Sequence, residues 1–480
     1  MLDRKAFEEE MREARQQELW GAEYCLNRYT EEIESLREIA PYAKISEEAI
    51  RYLEEIPIST EGRPFRQVLE ELQEYVFSAA VGLSHPRCFA FVTSAVSPYS
   101  VAGAIMSDMY NLHAGGYQLS PGANIIEEKL IRWMGSLAGY PGSCGGLFTS
   151  GGSMSNLTGM IAARANVLTE EEYQIAVAYT SDQAHSSVRK GMKLMGLRQD
   201  QIRIIPSDED FRMDPVLLEK AICEDLKAGR KPFLIVASMG TTNTGSIDPL
   251  PEIGRIREKY GMWLHVDGAF GGSILLSEIY RNLAKGLELS DSFSWDLHKW
   301  ALQCYSCSAC IARDKKQLVR TYAEHPEYLG DIIDSEHIDG WDLGIEMSRP
   351  TRAIRFWFTV QAMGTDKLAD VIDYAFYNSH VAERQLKSFG DWEICAKPMC
   401  GTLNFRYAPK DVDSARYDEL NSEISRQIIE SDFAYVVTTV LKGKRVLRMC
   451  MINGNTTTDD VTDTLDKLNE TARKLKASFM

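Results

Sequence analysis

The fold is decided by the stretch SWDLHKW at Ser294–Trp300, taken together with the upstream stretch MWLHVDGA at Met262–Ala269. Each stretch is a short apolar run followed by a charged side chain, Asp267 in the first and Lys299 in the second. Such runs are typical of buried strands, and the chain between them is long enough for one crossover connection. We therefore expect two neighbouring strands of one parallel sheet, with Asp267 and Lys299 at the same edge.

A lysine and an aspartate at one sheet edge match the needs of pyridoxal 5′-phosphate (PLP). The amine of Lys299 would form a Schiff base with the aldehyde, and the carboxylate of Asp267 would keep the pyridine nitrogen protonated so that the ring accepts electrons. Either residue alone is explained more simply, as a surface lysine or an aspartate at the edge of the core. Together they predict a PLP site.

A glycine-rich loop, TSGGSMSN at Thr149–Asn156, precedes a helical run. Glycines and hydroxyls at the start of a helix form an anion site, because free backbone N–H groups and the helix dipole both favour negative charge. The loop has neither the Walker spacing nor G-x-G-x-x-G, so it does not indicate a nucleotide. We expect Gly152 and Ser153 to bind the cofactor phosphate.

Five motifs in a fixed order carry a resemblance to a known family. They are TSGGS at 149–153, DQAHSS at 182–187, GTTNTG at 240–245, HVDGA at 265–269 and DLHKW at 296–300. As a set they resemble the group II PLP-dependent amino-acid decarboxylases, and within them the aromatic L-amino-acid decarboxylases. The similarity extends from about His85 to Gly364 and more loosely through the C-terminal part.

The resemblance implies an α/β fold of the fold-type I, aspartate-aminotransferase-like class, with a mostly parallel seven-stranded sheet and helices on both faces. The alternation of strand and helix patterns in the middle of the chain agrees with this architecture. We predict an N-terminal helical segment at 1–80 that clasps a second subunit, a large PLP-binding domain at 81–365, and a small C-terminal α+β domain at 366–480. The resemblance also implies a homodimer whose active sites are shared across the interface.

Further cofactor contacts follow from the resemblance. His185 would stack on the cofactor ring and assist proton transfer, while Thr242 and Ala269 would lie against the ring. His298 would contact the phosphate, and Ser348 would also bind the cofactor. For His185 and His298 the alternative is a structural histidine held by an orienting hydrogen bond.

Asp296 departs from the pattern of the animal aromatic decarboxylases, which carry asparagine at this position. An acid near a phosphate is unfavourable, so we expect Asp296 to orient the lysine loop or a hydroxyl instead.

The segment that begins with HPEYLG at His325–Gly330 is too polar for a core and is typical of an active-site lid. By resemblance, Tyr328 would return a proton to the substrate α-carbon after CO2 leaves, with His185 as the alternative donor. Relatives that oxidise the product to an aldehyde carry phenylalanine there, so Tyr328 favours simple decarboxylation.

By the same resemblance, the substrate pocket is lined by Phe91, His113, Leu119, Ile332 and Trp341, some of them supplied by the partner subunit. This wall is apolar and aromatic, which suits an indole or phenyl ring. It lacks a dedicated cation for the distal carboxylate of glutamate. We predict decarboxylation of tryptophan and phenylalanine to tryptamine and phenethylamine, although His113 could bind the ring hydroxyl of tyrosine or DOPA.

Composition agrees with an enzyme acting on a small molecule. At 480 residues, 44% hydrophobic and 25% charged, the chain is globular and too long for one core. A formal charge of −16 argues against nucleic acid or anionic membranes as partners. The first residues are charged where a signal peptide is apolar, and no apolar run approaches a membrane span. We expect a cytoplasmic protein.

The ten cysteines are expected to be reduced thiols. Cys304, Cys307 and Cys310 have a spacing that can bind an iron–sulfur cluster or zinc. However, Tyr305–Ala312 has the pattern of a strand, in which residues three apart point to opposite faces. We expect no metal. Two alternatives stay open: another fold-type I PLP enzyme (an aldehyde synthase, an aminotransferase or a glutamate-type decarboxylase), and a cysteine-based metal or redox protein.

Overall fold

The computed structural model describes residues 4–58, 60–324 and 337–480, so Tyr328 and Ile332 lie outside the described residues. Its centre is a seven-stranded sheet. In chain order the strands are β1 (Gly145–Thr149), β2 (Ala176–Ser181), β3 (Ile202–Ile205), β4 (Lys231–Ser238), β5 (Trp263–Asp267), β6 (Ser292–Asp296) and β7 (Ser308–Ala312). In space the order is β1-β7-β6-β5-β4-β2-β3. Strands β3, β2, β4, β5 and β6 are parallel neighbours, and β7 is antiparallel to β1 and β6.

Strands β5 and β6 pair in parallel, as the sequence predicted, with Asp267 opposite Ser294. All residues of both strands are buried, as expected for strands that are covered on both faces of a parallel sheet. The two strands deliver Asp267 at the end of β5 and Lys299 just beyond the end of β6.

Helices cover both faces of the sheet. In the middle of the chain they are α4 (Pro98–Tyr110), α5 (Pro121–Leu137), α6 (Gly152–Val167), α7 (Ser186–Leu194), α8 (Pro215–Lys227), α9 (Leu250–Tyr260), α10 (Leu297–Trp300), α11 (Lys315–Tyr322) and α12 (Arg352–Met363). Successive residues of β4 enter different cores: Ile235 packs with residues of α5, α8 and α9, while Val236 packs with residues of α6, α7 and α11. The predicted mostly parallel, doubly covered sheet is therefore confirmed.

Three helices precede the sheet: α1 (Arg4–Glu34), α2 (Glu47–Glu55) and α3 (Phe65–Leu72). The side chain of Ser46 caps α2 by accepting a hydrogen bond from the N–H of Ala49 at 3.0 Å. Apolar residues of α2, among them Ile50 and Leu53, are exposed in the single chain. Exposed apolar residues are suited to a contact with a second subunit. The contact predicted for the N-terminal segment stays a prediction.

The C-terminal part has its own layer of helices on an antiparallel sheet. Its helices are α13 (Thr365–Phe389), α14 (Tyr417–Glu430) and α15 (Thr458–Phe479), and its strands are β8 (Trp392–Met399), β9 (Thr402–Tyr407), β10 (Val437–Leu441) and β11 (Lys444–Cys450). The sheet order is β10-β11-β9-β8. This is the α+β arrangement expected from the sequence. The domain boundaries themselves remain predictions.

Among the described residues, no helix combines the length and the apolar character that crossing a membrane requires.

Candidate active site

A cavity of about 460 Å³ lies at the carboxyl ends of β4, β5 and β6. This is the expected place for a site in an open, mostly parallel sheet. Eight of the nine predicted cofactor-binding residues line it: Gly152, Ser153, His185, Thr242, Asp267, Ala269, His298 and Lys299. The ninth, Ser348, is exposed and does not line this cavity in the single chain.

Lys299 lies in the one-turn helix α10, and its Nζ atom is 3.0 Å from Oδ2 of Asp296. Burial lowers the pKa of Lys299, but the carboxylates of Asp296 and Asp267 raise it, and the net pKa is above its ordinary value. The two acids therefore favour the charged ammonium. An amine paired with one carboxylate at a cavity wall, in the field of a second, can act as a nucleophile once it loses a proton.

Asp267 is only 7% exposed and lines the same cavity. The N–H of Ala269 and the hydroxyl of Ser294 both donate to its Oδ1 atom, at 3.2 and 3.3 Å. These two bonds fix the carboxylate and leave Oδ2 without either donor. The donor set suits a protonated pyridine nitrogen, which needs one charged acceptor on a rigid strand end.

The start of α6 has backbone N–H groups at the place where the glycine-rich loop predicts an anion site. The N–H groups of Met154 and Ser155 bond back to the carbonyl of Gly151, so the N–H groups of Gly152 and Ser153 remain at the helix start. A Cβ atom on Gly152 would lie 2.8 Å from Oδ2 of Asp296 and 3.0 Å from Cβ of Ala269. Glycine is therefore required there, and the cradle fits a phosphate group.

His185 caps α7, and its Nδ1 atom accepts a hydrogen bond from the N–H of Ser187 at 3.3 Å. The hydroxyl of Ser187 lies 2.8 Å from the same nitrogen and donates to it. Because Nδ1 is an acceptor, the proton of the neutral ring is on Nε2. The cap thus sets both the orientation and the tautomer of a histidine that lines the cavity.

A chain of buried hydrogen bonds continues from Ser187 into the core. Asn156 donates to the Ser187 hydroxyl at 3.4 Å, and the Oδ1 atom of Asn156 lies 3.0 Å from Nε2 of His265. Burial lowers the pKa of His265 to about 3, so its ring is neutral and donates through Nε2. Ser292 supplies the hydrogen bond to Nδ1 of His265, at 2.8 Å, and in turn accepts from Trp263 at 2.9 Å. All the donors along this chain point towards His185.

His298 lines the cavity beside Lys299. Its Nδ1 atom is 2.9 Å from the carbonyl oxygen and 3.2 Å from the amide nitrogen of Cys307, so Cys307 orients the ring. Burial lowers the pKa of His298, against an opposing effect from Asp296. The orienting hydrogen bond is therefore present, and the predicted phosphate contact stays a prediction.

Two residues near the site were not identified from the sequence. Tyr305 lines the cavity, with its ring centroid 4.7 Å from that of His298, and burial raises its pKa. Arg448 is buried in β11 and donates to the carbonyls of Thr242, at 3.0 Å, and Phe91, at 2.6 Å. Its Nη2 atom has no hydrogen-bond partner among the described residues. In the sequence, Arg448 stands out as a charged residue within a mostly apolar strand. No neighbouring residue, however, indicated that its side chain contacts Thr242 and Phe91.

The predicted substrate wall is divided in the single chain. Phe91 is 51% exposed, and Arg448 connects it to the loop that contains Thr242, at 240–245, by donating to a carbonyl of each. The rings of His113 and Trp341 contact each other, with their centroids 6.3 Å apart. Leu119 is exposed. Of the described residues, these four do not line the cavity around Lys299. Their assignment to the substrate pocket stays a prediction that involves the second subunit.

The cysteine spacing has a structural explanation. The strand predicted from Tyr305 begins only at Ser308, because the preceding residues form the loop that carries Tyr305 into the cavity wall. Cys307 and Cys310 nevertheless lie in cores on opposite faces of the sheet, as a strand period predicts. Within the described parts of the chain, no group of three or more histidine, cysteine or acidic side chains could hold a metal ion.

Comparisons with known proteins identify the family of this chain. Residues 48–408 match the family described as the pyridoxal-dependent decarboxylase conserved domain. An aromatic-L-amino-acid decarboxylase of Bacillus atrophaeus is 34% identical over 412 residues, which cover 85% of this chain and 85% of that protein. An L-2,4-diaminobutyrate decarboxylase of Rhizobium meliloti (strain 1021) is 30% identical over 403 residues, covering 83% of this chain and 80% of that protein.

The fold also matches a solved structure, that of Oryza sativa TDC with PLP and tryptamine, with a TM-score of 0.89. The match covers 95% of this chain and 97% of that chain at 24% identity, so it bears on the fold alone. The family model spans well over half of the chain, and its members are carboxy-lyases that use PLP and act on amino acids. The chain belongs to the pyridoxal-dependent decarboxylase family.

Proposed function

We propose that this chain decarboxylates aromatic L-amino acids, with tryptophan and phenylalanine preferred, and releases the aryl amine and CO2. The observation that carries the proposal is the convergence of Lys299, Asp267 and the start of α6 on one cavity. The substrate class rests on the similarity to the Bacillus atrophaeus enzyme and on the aromatic wall predicted from the sequence.

The residues of the cavity have complementary roles in this reaction. PLP, when bound, supplies an electron-accepting ring for the electron pair that the departing CO2 leaves on the substrate α-carbon. Lys299 would hold the cofactor covalently, the N–H groups of Gly152 and Ser153 would hold its phosphate, and Oδ2 of Asp267 would hold its ring N–H. Ala269 leaves room for the flat ring, because a larger side chain would extend into the cavity.

Proton return to the α-carbon needs a donor that faces the substrate. The Nε2–H of His185 is one such donor, because the bonds to Ser187 occupy the other ring nitrogen. Tyr328 is the donor that the resemblance favours, and it lies outside the described residues. We also propose the homodimer, since four residues of the predicted substrate wall do not reach the cavity within one chain.

A second candidate substrate class is acidic amino acids, and one observation favours it. Arg448 is a buried cation whose Nη2 atom lacks a partner among the described residues, beside the Thr242 loop. A distal carboxylate could pair with such a guanidinium. The same charge disfavours 2,4-diaminobutyrate, the substrate named for the Rhizobium meliloti relative, because its side chain is a cation.

A product screen tests these alternatives. The purified protein with PLP is incubated with tryptophan, phenylalanine, tyrosine, glutamate or 2,4-diaminobutyrate, and amine and CO2 are both measured. We expect kcat/KM for tryptophan or phenylalanine to exceed that for glutamate at least about 100-fold, since a buried unpaired carboxylate in an apolar pocket costs several kcal/mol. Glutamate as the best substrate would overturn the aromatic proposal and favour the Arg448 alternative. Equal amounts of amine and CO2 would separate a decarboxylase from an aminotransferase or an aldehyde synthase.

Tyr328→Phe should change the product rather than stop the reaction. The phenylalanine keeps the ring but removes the hydroxyl proton, while loss of CO2 still depends on Asp267 and the cofactor. With proton return delayed, dioxygen can oxidise the α-carbon, and aldehyde, ammonia and hydrogen peroxide then accompany CO2. We expect an aldehyde fraction from tryptophan under air that the wild-type protein lacks. Unchanged amine output without aldehyde would assign proton return to His185 or water.

A further inference from the structure

Asp296 is a buried acid that touches both the reactive lysine and the anion site. It is 2% exposed at the end of β6, with Nζ of Lys299 at 3.0 Å from Oδ2 and the hydroxyl of Ser308 donating to Oδ1 at 2.5 Å. Each carboxylate oxygen thus has a donor of its own. Buried carboxylates are retained only when they are paired and hydrogen-bonded in this way.

A line of buried hydroxyls leads to the carboxylate of Asp296. The single proton of Ser308 faces Oδ1 of Asp296, at 2.5 Å, and the more distant carbonyl of Trp295, at 3.2 Å. Ser155, at 2.8 Å, therefore donates to Ser308, and Thr149 lies 2.6 Å from Ser155. The strand pairing explains the alignment, because Ser308 is opposite both Asp296 and Thr149 in the antiparallel register. The hydroxyls thus fix the position of the Asp296 carboxylate beside Lys299.

The carboxylate also lies against the first turn of α6. A Cβ atom on Gly152 would approach both oxygens of Asp296, at 2.8 and 2.9 Å. The positive end of the helix dipole therefore stabilises Asp296, in the same place where the phosphate would bind. Before the covalent link to the cofactor forms, the ammonium of Lys299 neutralises an acid that would otherwise repel the incoming phosphate.

We propose that Asp296 is a positioning residue for Lys299 and holds the side-chain ammonium at the edge of β6. Asp296 also sets how readily this nitrogen gives up a proton, which the nitrogen must lose before it bonds to the cofactor aldehyde. The proposal rests on Lys299 being the cofactor lysine of the proposed function. In the step concerned, the ammonium loses one proton to solvent, and the free amine then attacks the aldehyde carbon. A C=N bond forms, and the aldehyde oxygen leaves as water with the two remaining amine protons.

The sign of the pH dependence follows from the groups that face Lys299. Burial lowers the pKa of Lys299, but Asp296 from β6 and Asp267 from β5 raise it, and the net pKa is above its ordinary value. His298 from α10 and Tyr305 from the loop before β7 also lie beside Lys299. Cofactor loading should therefore accelerate as pH rises. Removing the charge of Asp296 lowers the pKa of Lys299 and moves the acceleration to lower pH.

The test uses the full chain freed of cofactor, in the wild-type, Asp296→Asn and Asp225→Asn forms. Asp225 is a matched control, since it is a buried aspartate that pairs with Arg203 and does not line the cavity. PLP or pyridoxal is added at a series of pH values, and the yellow absorbance of the Schiff base is followed in time. For Asp296→Asn we expect the pH–rate profile to move down by about one pH unit, and loading at neutral pH to be about tenfold faster. Asp225→Asn should leave the profile unchanged.

Pyridoxal separates the two effects of the acid because it has no phosphate. Faster loading of Asp296→Asn with both compounds supports the proposal, whereas faster loading with PLP alone would show that Asp296 acts on the phosphate and would overturn it. A wild-type loading rate that does not rise with pH would also overturn it, even if the variant fails to fold.

Borohydride reduction and peptide mass spectrometry locate the modified lysine. A label on Lys299 with an unshifted profile would reject this proposal alone, and a label on another lysine would reject the proposed site as well.

Discussion

Lys299→Ala should abolish turnover while the protein still folds and binds some PLP. The variant removes the only amine that lines the cavity among the described residues, but leaves the N–H groups of Gly152 and Ser153 and the carboxylate of Asp267 in place. Without the covalent link, the cofactor is no longer held by its aldehyde, and the exchange of lysine for substrate amine cannot occur. We expect kcat to fall at least about 10⁴-fold, which corresponds to more than about 5 kcal/mol in the activation barrier.

Lys315→Ala is the matched control for this experiment. Lys315 is shielded to a similar degree, with 19% of its side chain exposed against 23% for Lys299, but it pairs with Glu128 away from the Lys299 cavity. Its removal should leave turnover within about twofold of wild type, as expected for a partly exposed ion pair. The measurement is amine release, combined with borohydride trapping of the cofactor. If Lys299→Ala still traps PLP covalently, another lysine carries the Schiff base.

The parts of the fold that the sequence predicted are those with continuous local patterns. Strands β5 and β6 are buried throughout, and Asp267 and Lys299 lie at or just beyond their ends, so both their existence and their parallel pairing could be inferred. Strand β8, by contrast, has no clear pattern in the sequence, because most of its residues are partly exposed and it includes Pro398, which removes a backbone donor. The loop before β7 was mistaken for strand, since Tyr305 and the small residues after it have a strand-like composition.

The residue types of the candidate site could be predicted from the sequence, but the hydrogen bonds that connect them could not. Asp296 stood out in the sequence as an acid near a phosphate, yet its partner Ser308 depends on the antiparallel register of β7. The bond between His265 and Asn156 joins residues 109 positions apart and has no local pattern. Arg448 reaches Thr242 only through the packing of the C-terminal sheet on the large one. Long-range pairings of this kind follow from tertiary structure rather than from periodicity.

Asp267→Ala should leave the cofactor bound and greatly slow decarboxylation. Lys299 and the start of α6 remain to hold PLP, so the yellow Schiff base should still form. The pyridine nitrogen, however, loses its charged acceptor and becomes neutral, which weakens the ring as an electron acceptor. A preorganised charge at such a position supplies several kcal/mol of transition-state stabilisation, and we therefore expect kcat to fall by about 10³-fold or more.

Two further variants show whether the charge or the shape of Asp267 is responsible. Asp267→Asn keeps the size of the side chain and can still accept the hydrogen bonds from Ala269 and Ser294, but it carries no charge, so it should be nearly as slow as alanine. Ser294→Ala removes one of those bonds, at 3.3 Å, and keeps the charge, so it should cost no more than about tenfold. The measurement is single-turnover CO2 release from protein confirmed to hold PLP. Rapid CO2 release by Asp267→Asn would contradict this prediction, because it would show that the cofactor accepts electrons without a charge at position 267.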